Sequence, residues 1–582
     1  MSDAPARAPQ KSRTSQAKRS RWLLIGTVIM LLVAAIQLFM IQIVRGAELA
    51  EQGRQVRTSA NAIQAPRGTI VDANGTVLVE SRITYHIAAN QQALREYRHI
   101  EDGEIVGRGP AEAARLLAPL LEMNQAELGG MLLGDSTYHY LAKNVDPETY
   151  RAIRKLGIYG IEWEPVFERM YPADSLAGTV LGSIDSEGNG NSGLELTYQE
   201  ELTGTSGEES YEIGPTGAVI PGAKVTSKEA RPGDTINTTL IADLQHAIQS
   251  AVDSSVEFHN AEWGAAVVMD VASSEILALA DSGTVSPAKG PQASNAIQMV
   301  YEPGSVGKIF TFAGALENGV VEPETPITMS DTYTTGGQTF SDMVPHEPFT
   351  KTATGVLAQS LNTGTVMIGE QIPAEERYDL MRRFGLGQLT GVQVPGESPG
   401  LLTEPSTWDG RTIYTTTFGQ GYAINAVQAA SVMATLGNGG VRQEPTLVKG
   451  FTDADGIERT IDRPVPTQVV EPEVAQTLVR MLESVTNEGS GVLAVVDGYR
   501  VASKTGTSEI GTGGTVSNMV ALFPADNPQV AISVVLYKPT YLYKSGESAA
   551  PLVHKIVSDS IRVLGIAPSK EGPNLYPSEP AK

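Results

Sequence analysis

Residues 301–310 read YEPGSVGKIF, and this stretch decides how the middle of the chain folds. The Pro303-Gly304 step breaks the chain direction. The apolar residues that follow recur at helical spacing, so the pattern predicts a helix that begins near Ser305. Lys308 lies three residues further on and projects from the same helix face. A serine hydroxyl becomes nucleophilic when a base takes its proton, and a lysine can be that base when burial or a neighbouring cation lowers its pKa.

An isolated S-x-x-K motif is weak support for catalysis, because it also occurs at 15–18 and 286–289. Two later motifs change that judgement. SLN at 360–362 lies in a region, 354–369, that we predict to be helical, and KTGT at 504–507 follows a strand-like run. The S-x-N pattern also occurs as SAN at 59–61, but this copy comes before the S-x-x-K at 305–308 and therefore does not follow the order of the set. The ordered set of three motifs is far more specific than any member.

The KTGT motif has a chemistry of its own. On an edge strand it would present a cation, a hydroxyl and a glycine to which another backbone can come close. An extended peptide could pair with such a strand and be held beside the serine. The sequence therefore indicates an enzyme that acts on a peptide.

Residues 22–44 are almost entirely apolar and carry no charge. As a helix they would rise about 34 Å, enough to cross a hydrocarbon core of about 30 Å. The run is longer than that of a cleaved signal peptide, the alternative interpretation. The segment before this run is basic, with six positive residues and one negative residue: Arg7, Lys11, Arg13, Lys18, Arg19 and Arg21 against Asp3. By the positive-inside rule, this basic segment lies in the cytoplasm and everything after Arg45 lies outside.

Composition excludes several classes of function. The 582-residue chain has a net charge of -23, whereas nucleic acid is bound by basic surfaces. It has no cysteine, which excludes disulfides, redox thiols and thiolate metal sites. The seven histidines lack the spacing of a zinc site, and nothing indicates an organic cofactor. We therefore expect a catalyst that uses neither a metal nor a cofactor.

The remaining pattern predicts an α+β fold in several parts. Asn74-Gly75 between two apolar runs indicates a hairpin. Helices are predicted at 47–57, 111–121, 147–156, 240–256 and 549–564, and strands at 264–270, 275–280, 499–503, 518–523 and 530–537. The predicted parts are a cytoplasmic tail (1–21), a transmembrane helix (22–44), an extended mixed domain (45–234), a sheet-containing domain (235–567) and a flexible C-terminal tail (568–582).

The motif set resembles that of penicillin-binding proteins and serine β-lactamases. The whole chain resembles class B penicillin-binding proteins, and among them the division-specific, FtsI-like peptidoglycan D,D-transpeptidases. This resemblance implies a pedestal or dimerisation domain at 45–234. It also implies a transpeptidase domain at 235–567 with a five-stranded antiparallel sheet flanked by helices. Beyond the three motifs it rests on RGTI (67–70), GLEL (193–196), YEPGS (301–305), FGQG (418–421) and AAP (549–551).

The resemblance implies a role for each motif residue. Ser305 would attack the D-Ala-D-Ala carbonyl of a stem peptide and form an acyl-enzyme, while Lys308 takes its proton. Ser360 would relay a proton to the leaving amine. Asn362 would hydrogen-bond the peptide and Lys308, and Lys504 would keep the site positive.

Substrate binding is implied for the third motif. Thr505 and Thr507 would hold the substrate carboxylate beside Gly506, and the backbone N–H groups of Ser305 and Thr507 would form the oxyanion hole. An amine of a neighbouring stem peptide would then attack and give the cross-link. For the FGQG segment we prefer a packing role behind the site.

Other functions remain open. A serine β-lactamase would need a carboxylate to activate water, and no obvious one follows the S-x-N triplet apart from Glu370 and the pair Glu375-Glu376. A non-catalytic β-lactam sensor or scaffold would not need every motif residue. A D,D-carboxypeptidase shares the chemistry but typically has a C-terminal anchor. An elongation-type class B paralogue shares the whole outline.

The resemblance also implies partners and a location. The substrates would be peptidoglycan stem peptides on lipid II-derived strands, and β-lactams would inhibit covalently. The expected protein partners are a membrane glycosyltransferase of the shape, elongation, division and sporulation class, together with other divisome proteins. The protein would cross the cell membrane once, with its catalytic domain outside the cytoplasm.

Overall fold

A computed structural model describes residues 13–212 and 226–581 and shows a mixed fold of helices and largely antiparallel sheets. The helices are α1 (Arg13–Phe39), α2 (Gly46–Arg57), α3 (Gln91–Leu94), α4 (Gly109–Leu121), α5 (Gln125–Met131), α6 (Pro147–Lys155), α7 (Gly178–Leu181), α8 (Gly193–Thr197), α9 (Gln199–Leu202), α10 (Ala242–His259), α11 (Asn295–Gln298), α12 (Lys308–Glu317), α13 (Ala353–Ala358), α14 (Asn362–Gly369), α15 (Ala374–Arg383), α16 (Thr412–Thr415), α17 (Ala426–Gly437), α18 (Pro472–Glu488) and α19 (Ala549–Leu564).

The strands lie in several sheets. They are β1 (Thr58–Ile63), β2 (Ile70–Val71), β3 (Val77–Ala89), β4 (Arg98–Glu101), β5 (Glu104–Arg108), β6 (His139–Val145), β7 (Ile161–Met170), β8 (Gly207–Glu212), β9 (Thr226–Lys228), β10 (Thr235–Thr238), β11 (Trp263–Asp270), β12 (Ile276–Asp281), β13 (Pro326–Met329), β14 (Thr332–Thr335), β15 (Gln338–Ser341), β16 (Phe349–Thr352), β17 (Val441–Arg442), β18 (Val448–Thr452), β19 (Glu458–Thr460), β20 (Thr467–Gln468), β21 (Ala502–Glu509), β22 (Thr515–Phe523) and β23 (Val530–Tyr537).

The chain divides into two compact units, and the smaller comprises Met1–Ala65 and Thr205–Arg231. In its described part, α1 continues through a π-helical turn, and Lys18–Val44 is the one described helix long and apolar enough to cross a membrane. This helix confirms the predicted apolar span. Strands β1, β8 and β9 form a small antiparallel sheet.

The larger unit comprises Pro66–Gly204 and Pro232–Lys582. One of its sheets has the order β19-β18-β10-β2-β3-β6, with β7 also paired to β3. The predicted hairpin is present between β2 and β3, and Gly75 turns with φ +84°, a conformation that favours glycine. Because β10 pairs with both β2 and β18, this sheet continues across the predicted boundary at residue 234.

Two sequence segments far apart in the chain meet around one buried carboxylate in this unit. The Glu195 side chain is fully buried, and its two oxygens lie 2.5 Å from Arg67 Nε and 2.7 Å from Arg169 Nε. Arg67 Nη2 also donates to the Glu195 carbonyl at 2.8 Å. The RGTI and GLEL segments therefore form one ion-pair cluster, a contact that the sequence pattern did not reveal.

The second large sheet is five-stranded and antiparallel, in the order β12-β11-β23-β22-β21, which confirms the predicted sheet. Alternate residues of β11 enter two different cores because strand side chains point to opposite faces. Ala265 and Val267 belong to the core that includes residues of α12 and α17, whereas Ala266 and Val268 belong to the core that includes residues of α10 and α19. Helices thus cover both faces, and β21 remains at the edge.

Candidate active site

Ser305 lies in a 3-10 turn, Gly304–Gly307, that runs directly into helix α12. Gly304 has φ +53°, and a Cβ there would lie 2.6 Å from the Thr507 carbonyl oxygen. Only glycine therefore allows the turn to approach edge strand β21 so closely. The geometry places a half-buried serine at the N-terminal, electropositive end of a helix, as the sequence predicted.

Lys308 is completely buried below Ser305. Its Nζ atom donates to the Ser360 carbonyl at 2.5 Å and to Asn362 Oδ1 at 2.9 Å, and lies 3.3 Å from Ser360 Oγ. Burial and the nearby positive Lys504 lower the pKa of Lys308 well below 10.5, while Asp342 opposes this effect. A neutral amine can donate these two short hydrogen bonds and keep its lone pair for a proton.

The S-x-N triplet lies in a break between helices, which corrects the prediction of one helical region over 354–369. Helix α13 ends at Ala358, and Ser360 adopts φ +60°, a conformation that strains a residue with a side chain. Helix α14 begins at Asn362. The break turns the Ser360 carbonyl and hydroxyl toward Lys308, which a continuous helix would not do.

Asp342 holds this break in place, and sequence reasoning missed it. Its Oδ1 accepts from the N–H of Asn362 and, at 3.1 Å, from that of Thr363, so it caps α14. Its Oδ2 accepts from Thr363 Oγ1 at 2.7 Å and lies 3.0 Å from His346 Nε2. Asp342 lies 20 positions before Asn362, and no sequence motif connects the two residues.

The KTGT motif lies within edge strand β21, which begins at Ala502. The predicted strand at 499–503 was therefore placed a few residues too early. Lys504 is completely buried, and its Nζ donates to Ser360 Oγ at 3.0 Å. Burial lowers the pKa of Lys504 to about 7. A Cβ on Gly506 would lie 2.2 Å from the Pro303 carbonyl oxygen, so this position also requires glycine.

Two further serines join the motif threonines at the edge of the site. Ser490 Oγ lies 2.5 Å from Thr505 Oγ1. Ser545 Oγ lies 2.8 Å from Thr507 Oγ1 and donates to the Gly506 carbonyl at 2.5 Å. Together they form a row of hydroxyl groups along β21. Both serines lie in loops without a recognisable motif, which explains why sequence reasoning missed them.

The FGQG segment forms another wall of the site. The Gly304 N–H donates to the Gly419 carbonyl at 2.9 Å. A Cβ on Gly307 would lie 2.5 Å from Gly419 Cα, so the two backbones touch. Phe418 and Gln420 line the adjoining cavity. The segment therefore packs directly against the turn that carries Ser305.

A cavity of about 550 Å³ opens above these residues. Lys308, Lys504 and Gly506 lie beneath its floor. It is lined by Gly304, Ser305, Asp342, Met343, Val344, His346, Phe349, Gln359, Ser360, Leu361, Asn362, Phe418, Gln420, Ser490, Thr505, Thr507, Lys544, Ser545, Gly546 and Glu547. The structure therefore brings the predicted site residues of all three motifs together around one cavity.

This geometry defines a class of enzyme. A serine hydroxyl, a buried lysine of lowered pKa, a second serine between two lysines and an open strand edge are parts suited to acyl transfer from an extended peptide. The class that this arrangement fits is that of serine acyl-transfer enzymes.

Comparison with known proteins identifies the family. Residues 264–558 match the penicillin-binding protein transpeptidase domain, and residues 62–238 match the penicillin-binding protein dimerisation domain. Penicillin-binding protein PbpB of Mycolicibacterium smegmatis is 33% identical over 92% of this chain and 88% of that protein. Peptidoglycan D,D-transpeptidase FtsI of Escherichia coli is 29% identical over 91% of this chain and 89% of that protein.

The solved structures agree with these matches. Penicillin-binding protein 3 of Mycobacterium tuberculosis in complex with ampicillin is 27% identical, with a TM-score of 0.68, and the match covers 89% of this chain and 100% of that one. The chain therefore belongs to the penicillin-binding protein family, in its FtsI-like class B group, and carries that family's transpeptidase domain.

Proposed function

We propose that this protein cross-links peptidoglycan stem peptides through an acyl-enzyme on Ser305, and that β-lactams acylate the same residue. The observation that carries the proposal is the environment of Lys308. Its amine is completely buried and lies next to a second lysine, and among the described residues its hydrogen-bond partners are the Ser360 and Asn362 oxygen atoms named above. Burial and the second lysine lower the pKa of such an amine and so favour its neutral form, which can act as a base.

The reaction follows from these contacts. Ser305 Oγ loses its proton to Lys308 Nζ and forms a bond to the carbonyl carbon of the D-Ala-D-Ala amide. The backbone N–H groups of Ser305 and Thr507 stabilise the oxyanion. As the C–N bond breaks, the proton passes through Ser360 Oγ to the departing D-Ala amine. An acceptor amine then attacks the ester, its proton returns along the same path, and Ser305 Oγ is released.

Lys504 and Asn362 keep this path aligned. Lys504 Nζ donates to Ser360 Oγ at 3.0 Å, so the Ser360 hydroxyl proton is free to point elsewhere. Asn362 Oδ1 accepts from Lys308, and its Nδ2 donates to the Ser341 carbonyl at 3.1 Å, which fixes the orientation of the amide. Both residues thus orient the groups that move the proton.

The substrate would lie along edge strand β21. Its terminal carboxylate would be held by the hydroxyl groups of Thr505 and Thr507, with Ser490 completing the row. Gly506 lets β21 pack against the Pro303 carbonyl beneath the substrate, and the exposed cavity residues Met343 and Val344 would contact the substrate side chains. This assignment explains why an open strand edge, a liability in most proteins, is retained here.

The similarity to FtsI-like transpeptidases supports a role in septal wall synthesis, and the apolar helix supports a single membrane anchor. We place the basic N-terminal tail in the cytoplasm and the catalytic domain outside. A membrane glycosyltransferase that makes the glycan strand would be the partner. Depletion of the protein should then give filaments or misplaced septa; rounded cells with normal septa would indicate the elongation-type role instead.

The decisive experiment is intact-mass spectrometry of the full-length protein in detergent with benzylpenicillin. Ser305→Ala tests the nucleophile, and Ser286→Ala in the decoy S-x-x-K is the matched control. We expect one ring-opened drug per chain, stable for many minutes, in the wild type and Ser286→Ala but not in Ser305→Ala. Fast loss of drug without an adduct would favour a β-lactamase, and neither adduct nor drug loss would favour a non-catalytic scaffold.

A further inference from the structure

The C-terminal tail, residues 574–579, packs along helix α18 instead of extending into solvent. Arg480 Nε donates to the Asn574 carbonyl at 2.8 Å and its Nη2 to the Leu575 carbonyl at 3.2 Å. The Arg480 guanidinium carbon lies 3.7 Å from the centre of the Tyr576 ring, which also packs against the main core. One arginine therefore holds three successive tail residues.

The next tail residues contact the N-terminus of helix α13. The Thr352 hydroxyl donates to the Pro577 carbonyl at 2.6 Å, and the Thr352 N–H donates to the Ser578 carbonyl at 3.2 Å. A Cβ on Gly355 would lie 2.2 Å from the Ser578 carbonyl oxygen, so the tail backbone lies directly on this turn. Ser578 Oγ also donates to Glu488 at the end of α18, at 2.7 Å.

The two helices that the tail joins both end at the active site. Helix α13 ends at Ala358, two residues before Ser360, and α18 ends at Glu488, two residues before Ser490. The two ends touch each other, because the Ser490 N–H donates to the Ala358 carbonyl at 3.3 Å. A Cβ on Gly489 would lie 2.1 Å from that same oxygen, which leaves no space between them.

We propose that the C-terminal tail is a positioning segment for acylation: by joining α13 to α18, it sets Ser360 and Ser490 at their distances from Lys308 and Thr505. This inference rests on the roles proposed above for those four residues. The tail touches neither the cavity nor the reacting atoms, so its effect is transmitted through the two helices. Ser360 is strained at φ +60°, and a strained conformation persists only when its surroundings hold it there.

The first test removes the tail from the full-length protein by a stop codon in place of Asn574. The measurement is the rate constant of benzylpenicillin acylation, together with the thermal unfolding midpoint. We expect acylation to slow about tenfold, because small misplacements of reacting groups are costly, at temperatures where the variant is fully folded. A synthetic peptide of residues 572–582, added at high concentration, should restore the rate.

The second test leaves the tail sequence intact. Gly355→Ala puts a methyl group where the Ser578 carbonyl lies, while Gly572→Ala is the matched control because nothing lies within 4 Å of its Cβ position. Alanine favours the helix itself, so slower acylation in Gly355→Ala could not be ascribed to loss of helix propensity. We expect Gly355→Ala to slow acylation and Gly572→Ala to match the wild type.

The outcomes separate the two proposals. Wild-type rates in both the truncated chain and Gly355→Ala would overturn the positioning role, even if the unfolding midpoint fell, because the tail would then contribute only to stability. A wild-type protein that forms no adduct would instead overturn the proposed role of Ser305. Slow acylation of the truncated chain that the added peptide does not restore would also contradict the positioning role, since the truncation would then have damaged another part of the protein.

Discussion

Two clusters of buried basic side chains differ in the charges around them. In one, Arg67 and Arg169 share the carboxylate of Glu195, with one arginine nitrogen on each oxygen. In the other, Lys308 and Lys504 are completely buried, and within the described part of the chain neither amine forms an ion pair. Both clusters lie in the larger compact unit of the protein.

This difference in charge indicates a structural role for the arginine cluster and a chemical role for the lysine cluster. An opposite charge compensates for the lost hydration of the arginines and keeps them ionised, so they tie chain segments together. Two lysines without a counter-ion lower their joint charge by losing a proton. The same burial therefore accompanies an ion pair at one place and a lowered lysine pKa at the other.

Replacing a catalytic lysine should have the largest effect on function. Lys308→Arg introduces a guanidinium group that cannot become neutral, so acylation by benzylpenicillin should slow by a factor of about 10² to 10⁴. Lys289→Arg, in the decoy S-x-x-K, is the control and should acylate like the wild type. Near-normal acylation by Lys308→Arg would show that another group is the base.

Removing the shared carboxylate should have the largest effect on stability. Glu195→Gln leaves two buried guanidinium groups without a counter-charge, so the free energy of unfolding should fall by about 3 to 5 kcal/mol. Asp135→Asn breaks an exposed ion pair with Arg95 and should cost no more than about 1 kcal/mol. Chemical denaturation measures both, and equal losses would remove the distinction between the clusters.

The lysine pair should also appear in the pH dependence of stability. The unfolded chain binds protons at lysine up to pH 10.5, whereas the pKa of Lys504 in the folded chain is about 7. Because the unfolded state binds more protons between these values, stability should increase as pH rises through this window, by up to about 1.4 kcal/mol per pH unit for each neutral lysine. The double variant Lys308→Met, Lys504→Met should lose this slope, and a retained slope would contradict the lowered pKa values of the two lysines.

His346 should give the smallest effect, with the opposite sign. Its Nδ1 faces the Glu347 carbonyl at 2.9 Å and its Nε2 faces Asp342 at 3.0 Å, so both nitrogens have acceptors and the imidazolium satisfies both. Burial alone would lower its pKa, but these hydrogen bonds raise it above 6.5 overall.

The His346 contribution to stability should be present in full below pH 6.5 and be lost as pH rises through the higher folded pKa. His346→Gln should therefore be destabilised relative to the wild type at pH 6, and the difference should shrink by pH 9. A difference that does not change with pH would show that His346 acts by packing on Phe349 alone.

Much of the sheet and the motif positions could be predicted from local patterns. β23 and α19 have the predicted bounds of 530–537 and 549–564, because β23 is an almost continuous apolar run and α19 has apolar residues at helical spacing. The helical region at 354–369 was wrong, since the break at Ser360 depends on Asp342, which caps α14 from another segment. Ser490, Ser545 and the tail contacts were missed because they depend on the packing of distant segments.

The sequence by itself determined the chemistry of this protein. A serine followed by a lysine at helical spacing, an S-x-N triplet and a KTGT strand specify which groups are available, and an apolar run specifies a helix long enough to cross a membrane. The tertiary structure decided how reactive those groups are. The pKa of a lysine depends on how much water is excluded from it and on the charges near it, and for Lys308 these are set by Lys504, Asp342 and the close packing of the Gly304–Gly307 turn against β21. No local pattern contains that information.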